Sequence, residues 1–216
     1  MTYLHGLHNL YRGARCFILG TGPSLLGIPP VLLHKLKDEY LVGVNLILKT
    51  DLPFTSDLDV LVMSEWAWID GKGIPWMLEQ VSSNKQPLAE LCIYAHEHQI
   101  TELSSNGWEY ALMESGKRPH DTEFQGLGET LPRLGFGHSV IIPAIQIACW
   151  MGFEPIYLLG CDATEKGHAY REVEGVDERG SQAKFKEYAK LAEQVMASHG
   201  RTLIDLTQYG QLTIRK

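Results

Sequence analysis

Apolar residues along this chain gather into short, nearly unbroken runs separated by longer mixed segments. The runs are Cys16–Leu19, Tyr40–Val44, Val60–Met63, 91–95, Ile156–Leu159 and 202–206. Continuous rather than alternating apolarity is what strands covered on both faces show. The segments between most of them are long enough for the crossovers that parallel strands require. After Pro23 the spacing of Leu25, Leu26, Val31, Leu32, Leu33 and Leu36 is helical, but Pro29 and Pro30 interrupt it. That predicts a short helical turn, a break and a second helix. Residues 140–151 form a strongly apolar helix, with Ser139 as candidate N-cap, Gly152 as C-cap and Pro155 as stop signal. Residues 182–199 form an amphipathic helix with Phe185, Tyr188, Leu191, Ala192, Val195 and Met196 on one face. The alternation of strands and helices predicts an α/β protein, a Rossmann-like three-layer sandwich with a mostly parallel sheet, spanning 1–216 as one nucleotide-binding domain.

Three segments lack a clear period. Residues 1–13 read as a surface arm or short helix. Residues 104–137 mix glycines, charges and aromatics, as a small inserted subdomain or a lid-like insertion would. The polar stretch 163–180 is expected to flex.

Composition narrows the class without naming a function. With 44% hydrophobic and 21% charged residues among 216, this is the make-up of an ordinary soluble globular protein. A net charge of -7 argues against non-specific nucleic-acid binding, which relies on a basic surface. A small anionic ligand stays compatible, because local backbone dipoles can oppose the global charge. The four cysteines, Cys16, Cys92, Cys149 and Cys161, form no C-x-x-C pair, and three lie in apolar runs. Buried free thiols and a reducing, cytoplasmic location follow as expectations. No run reaches membrane-spanning length, and the start lacks a signal-peptide core.

Candidate chemistry concentrates where strands end. The first strand runs into Gly20-Thr21-Gly22-Pro23-Ser24. Pro23 suits a first helical position, and Gly20 and Gly22 permit positive φ and close approach of a ligand. The first helical N–H groups would then face an open crevice and favour a phosphate. A tight strand-to-helix turn without ligand explains the same residues, since neither a full dinucleotide fingerprint nor a P-loop is present. In parallel α/β sheets, ligands bind beyond the carboxyl ends of the strands, where strand order reverses. Residues 20–24, Asn45, Ser64, Glu65, His96 and 160–162 should therefore share one edge. Asp162, directly after a strand, could accept from a ribose hydroxyl or base, hold a metal, or serve as an N-cap. Glu65 is a metal ligand or a surface residue. His168, in a glycine-rich segment, is a general base or a plain surface histidine. Asp57 and Asp59 could bind a divalent metal but precede their strand, so they read as a solvated turn. His96, Glu97 and His98 read as a polar loop. Trp66, Trp68 and Trp76 form either a stacking wall or packing.

Three pieces of the chain, in the same order, resemble a known group of proteins. Phe17-Ile18-Leu19-Gly20-Thr21-Gly22-Pro23-Ser24-Leu25 is similar to the G-x-G-P-S-L turn of bacterial sialyltransferases of the Campylobacter type. The same turn occurs in archaeal 6-hydroxymethylpterin pyrophosphokinase-like proteins. Gly43-Val44-Asn45 resembles their Asn after the second strand. Ser139, 144–152 and Pro155-Ile156-Tyr157-Leu158-Leu159-Gly160-Cys161-Asp162 resemble their Ser-Gly and I-Y-L-x-G-x-D block, with Val140 here in place of the glycine. The resemblance implies that Gly20, Thr21, Gly22, Pro23, Ser24, Asn45, Ser139 and Gly160 bind a nucleotide, with Asp162 at the mouth. It places a general base and phosphate-stabilising tyrosines in the region that holds His168 and Tyr170. His168, Asp162 and Tyr170 are thus the candidate catalytic residues of a nucleotide-dependent transferase. As a glycosyltransferase it would take a nucleotide-activated sugar and an acceptor, and no metal. As a pyrophosphokinase it would take ATP with Mg²⁺ held by Glu65 or Asp162. A non-catalytic nucleotide-binding module is the third reading. The partners are small molecules in every case, and a homo-oligomer stays open.

Overall fold

The computed structural model describes residues 6–50, 52–53, 57–63, 90–93, 110–112, 139–162, 169 and 179–207. Among them seven strands form one sheet: β1 Cys16–Leu19, β2 Tyr40–Val44, β3 Val60–Met63, β4 Glu90–Ile93, β5 Tyr110–Leu112, β6 Ile156–Leu159 and β7 Leu203–Asp205. Their order is β5-β4-β3-β2-β1-β6-β7, and every neighbouring pair is parallel. The chain starts at β1, builds outward to β5, then returns to the other side of β1 with β6. Strand order therefore reverses between β1 and β6. These two strands pair flush, Cys16 with Ile156 through Leu19 with Leu159, so Gly20 and Gly160 leave the sheet at the same level.

This is an α/β, Rossmann-like arrangement with both faces of the sheet covered. Successive strand side chains point to opposite faces. On one face Cys16, Ile18, Val42, Val44, Val60, Val62, Ile156 and Leu158 pack with two helices, α2 Ile141–Met151 and α3 Arg179–Ser198. The intervening Leu19, Leu41 and Leu61 are also fully buried, as are Leu25 and Ile47 beyond the ends of β1 and β2. Every residue of α2 is buried. A helix apolar all round belongs in such an interior position, here against β1, β2, β6 and α3. The first crossover is divided as the prolines require. A 3-10 helix, Pro23–Gly27, is followed by α1, Pro30–Lys35.

The structure amends several expectations. Residues 104–137 include β5, an edge strand too short to carry a periodic signal; the rest of that segment lies outside the described residues. Helix α3 begins at Arg179, so the polar stretch before it is shorter than expected. Its core-facing stripe is Phe185, Ala189, Ala192 and Met196, whereas Leu191 is 38% exposed. The arm before β1 is built into the fold. Asn9, Tyr11 and Gly13 donate their amides to the carbonyls of Trp150, Met151 and Gly152 at 3.0, 3.0 and 3.3 Å. Arg201 donates to the Cys149 carbonyl. The last carbonyls of α2, which have no intrahelical partner, are satisfied in this way. Gly152, at φ +97°, makes the left-handed closure of that helix. Among the described residues, no helix is long and apolar enough to cross a membrane.

Candidate functional site

At the reversal point the two strand exits are stitched together. Gly20 donates its amide to the Leu159 carbonyl at 2.8 Å, and Gly22 donates to the Gly160 carbonyl at 2.8 Å. A Cβ on Gly20 would lie 2.3 Å from the Gly160 oxygen. A Cβ on Gly22 would lie 2.6 Å from that oxygen and 2.0 Å from Oδ2 of Asp162. Both glycines are thus required by contact between the turns. This corrects the expectation of positive φ there: Gly22 is extended, at φ -70° and ψ 152°. The positive φ belongs to Gly160, at +64°, where a Cβ would also strike Cγ of Leu25 at 2.5 Å.

The second feature of the crevice is the seat of Asp162. The Ser24 hydroxyl donates to its Oδ2 at 2.5 Å, and the Ser24 amide donates to the same oxygen at 3.2 Å. The Leu25 amide donates to the Gly22 carbonyl at 3.2 Å, and Pro23 has no N–H. The amides following Gly22 are therefore already engaged by protein acceptors, and a carboxylate occupies the position expected for a phosphate. The other oxygen, Oδ1, is buried and has no hydrogen-bond partner among the described residues. A buried acceptor left unmade costs free energy that a donor on a ligand would recover.

Residues that the sequence did not single out brace this exit from the β7 side. The Cys161 amide donates to Oγ1 of Thr207 at 3.1 Å, and the Thr207 amide donates to Oδ1 of Asp205 at 2.9 Å. Burial pushes the Cys161 thiol well above its ordinary range, and the Asp205 and Asp162 carboxylates add to that. A polar residue ending an apolar strand was the available signal for Asp205.

The remaining candidates fall into three groups. Asn45 follows β2, which lies next to β1 in register, and takes a left-handed φ of +44° at the start of a 3-10 turn, Asn45–Lys49. Few residues besides glycine adopt that conformation, and asparagine is one of them. Ser139 stands one residue before the N-cap of α2, which is Val140, and its Oγ accepts from the Ile141 amide at 3.3 Å. The other end of α2 meets the arm and the start of β1, where Cys16 donates to the Pro155 carbonyl at 3.3 Å. The Ser139 end therefore lies toward the carboxyl edge of the sheet. The chain also returns to the crevice at Ala169, whose amide donates to the Thr21 carbonyl at 2.8 Å. His168 and Tyr170, the chain neighbours of Ala169, lie outside the described residues, as do Ser64, Glu65, His96 and the tryptophans Trp66, Trp68 and Trp76.

Asp57 and Asp59 sit at the opposite edge and are structural. Asp57 pairs with Lys37 at 3.3 Å, and Oδ2 of Asp59 accepts from the Leu41 amide at 2.7 Å. Burial raises the carboxyl of Asp59 above its usual range, with the Leu41 amide opposing and Asp57 reinforcing the shift. Among the described residues, no three His, Cys, Asp or Glu side chains gather as a metal site would require.

The fold and this edge define a Rossmann-like α/β protein with two polar turns meeting at its β1–β6 reversal. No family model matches the sequence, and no curated protein matches it. Among solved structures it is similar to the sialyltransferase CstII from Campylobacter jejuni, solved in complex with a substrate analogue, cytidine-5'-monophosphate. The TM-score is 0.55 at 15% identity, over 90% of this chain and 80% of that one. At that identity the likeness establishes the shared fold.

Proposed function

We propose that this chain is a nucleotide-dependent transferase, a glycosyltransferase that takes a nucleotide-activated sugar at the β1–β6 crevice. The observation that carries the reading is the reversal of strand order, which brings the Gly20–Ser24 and Gly160–Asp162 turns together. The likeness to a sialyltransferase fold supports it. In this reading the glycines let the two turns meet, and Asp162 accepts from a donor group on the nucleotide. An acceptor hydroxyl attacks the anomeric carbon while the bond to the nucleotide phosphate breaks. His168 takes the hydroxyl proton, and Tyr170 donates to the departing phosphate. The hydrogen bond from Ala169, the residue between them in the chain, to Thr21 at the β1 exit supports this assignment.

The test is a thermal-shift and calorimetric screen of CMP, UDP, GDP and ATP with and without Mg²⁺. Metal-independent binding of a pyrimidine or guanine nucleotide is expected. ATP binding that appears only with Mg²⁺ would favour the pyrophosphokinase instead. No binding by any nucleotide would overturn the reading.

A further inference from the structure

We propose that Ser24 is a positioning residue: its hydroxyl determines which oxygen of Asp162 meets the ligand, so this point of the crevice receives a hydrogen-bond donor. The inference rests on the nucleotide reading above. Both donors of Ser24 converge on Oδ2, at 2.5 and 3.2 Å, and Ser24 is itself buried. Gly22 leaves the space that Oδ2 fills, since a Cβ there would lie 2.0 Å away. Oδ1 is left buried and without a partner among the described residues, on a residue that keeps partial exposure. A carboxylate oxygen in that state accepts from a hydroxyl or an amino N–H and repels a phosphate oxygen. The terminal torsion of an aspartate is broad, so without the Ser24 hydroxyl the carboxylate turns more freely and the two oxygens lose their distinct roles. Ser24 directs its polar atoms at Oδ2 and so acts through Asp162.

A nucleotide offers two donors of this kind, the ribose hydroxyls and the exocyclic amine of the base. Calorimetry on the full chain with CMP, its 2′,3′-dideoxy analogue and UMP tells them apart. Wild type should favour CMP over whichever probe lacks the donor used. Ser24→Ala should weaken CMP by about tenfold while weakening that probe far less, so the ratio of affinities collapses. Ser24→Thr, which keeps the hydroxyl, should preserve the ratio. Collapse against the dideoxy probe assigns the ribose; collapse against UMP assigns the base. Should Ser24→Ala fail to fold, Ser24→Cys replaces it, a thiol being a weak donor of similar shape. An equal loss for all three probes, or none for CMP, would overturn the positioning role while leaving the nucleotide reading intact. If wild type binds none of the three, both fall together.

Discussion

Gly22 shows how a residue can be legible in sequence while its reason is not. The G-x-G spacing marks a strand exit, but which atoms crowd a missing side chain depends on a partner turn 138 residues away, as the Ser24–Asp162 bond measures. Gly22→Ala would press its methyl group on the Gly160 carbonyl as well as on Asp162, and the backbone oxygen cannot swing aside. We expect Gly22→Ala to destabilise the fold by roughly 1–3 kcal/mol, the usual cost of overpacking. The check is a lower urea midpoint with an unchanged slope. Loss of ligand affinity in a Gly22 variant would accordingly report on the fold before the site. Asp59 makes a second case, with a sign that depends on pH. Its carboxyl is raised by burial, so holding it ionised at neutral pH opposes folding. Asp59→Asn keeps an oxygen for the Leu41 amide and removes that charge. The variant should match or exceed wild-type stability at pH 7. Its advantage should fade as pH falls through the raised carboxyl range toward the ordinary aspartate value near 3.8, below which both proteins are neutral at this position. A variant less stable at pH 7 than at pH 3, relative to wild type, would contradict this.

At the scale of elements, the strands were legible because burial on both faces leaves dense apolar runs. Cys16–Leu19, Tyr40–Val44, Val60–Met63 and Ile156–Leu159 form strands with the expected bounds. The break in the first crossover was equally plain, since Pro29 and Pro30 cannot continue a preceding helix, whereas Pro30 can open the next one. What stayed hidden was set by distant contacts. Strand β5 has three residues, Tyr110–Leu112, and gains its identity only by pairing with β4. The arm has no helical or strand period because its amides alternate between the end of α2 and single turns within the arm, Leu10 to Leu7, Arg12 to Asn9 and Ala14 to Tyr11. Tyr11 anchors it, stacked on Phe153 with ring centres 4.8 Å apart and tilted against Tyr40 at 4.7 Å. Removing that ring in Tyr11→Ala should cost roughly 1–3 kcal/mol through lost aromatic packing. Faster hydrogen exchange at the amides of Asn9 and Gly13 should accompany it, because the arm then holds α2 less firmly. Unaltered exchange there would mean that the backbone bonds alone secure the arm.

For the whole molecule, one consequence of the topology governs both stability and function: the strands that meet at the crevice also enclose the deepest core. Cys16, Cys149 and Cys161 are buried free thiols in that core. Burial raises all three, Cys149 to about 12 with Arg201 opposing the shift. Neutral thiols favour the folded state, so their contribution is complete below the ordinary thiol value near 9. Stability should then fall as pH rises from about 9 toward 12, and a thiol reagent at pH 8 should react only after unfolding. The same topology frames the mechanistic choice. A glycosyl transfer needs a base for the acceptor proton, and in the proposed reading His168, the chain neighbour of Ala169, supplies it. His168→Ala should leave nucleotide affinity nearly unchanged and lower transfer by roughly two to four orders of magnitude. A pyrophosphokinase would instead depend on a metal held by Asp162 or Glu65, so Asp162→Asn together with chelation would abolish its turnover while His168→Ala spared it. Assayed side by side, with Mg²⁺ present and then removed by a chelator, the two variants separate these mechanisms. Full activity in His168→Ala, lost on chelation, would reject the glycosyl transfer and leave phosphoryl chemistry at the same edge.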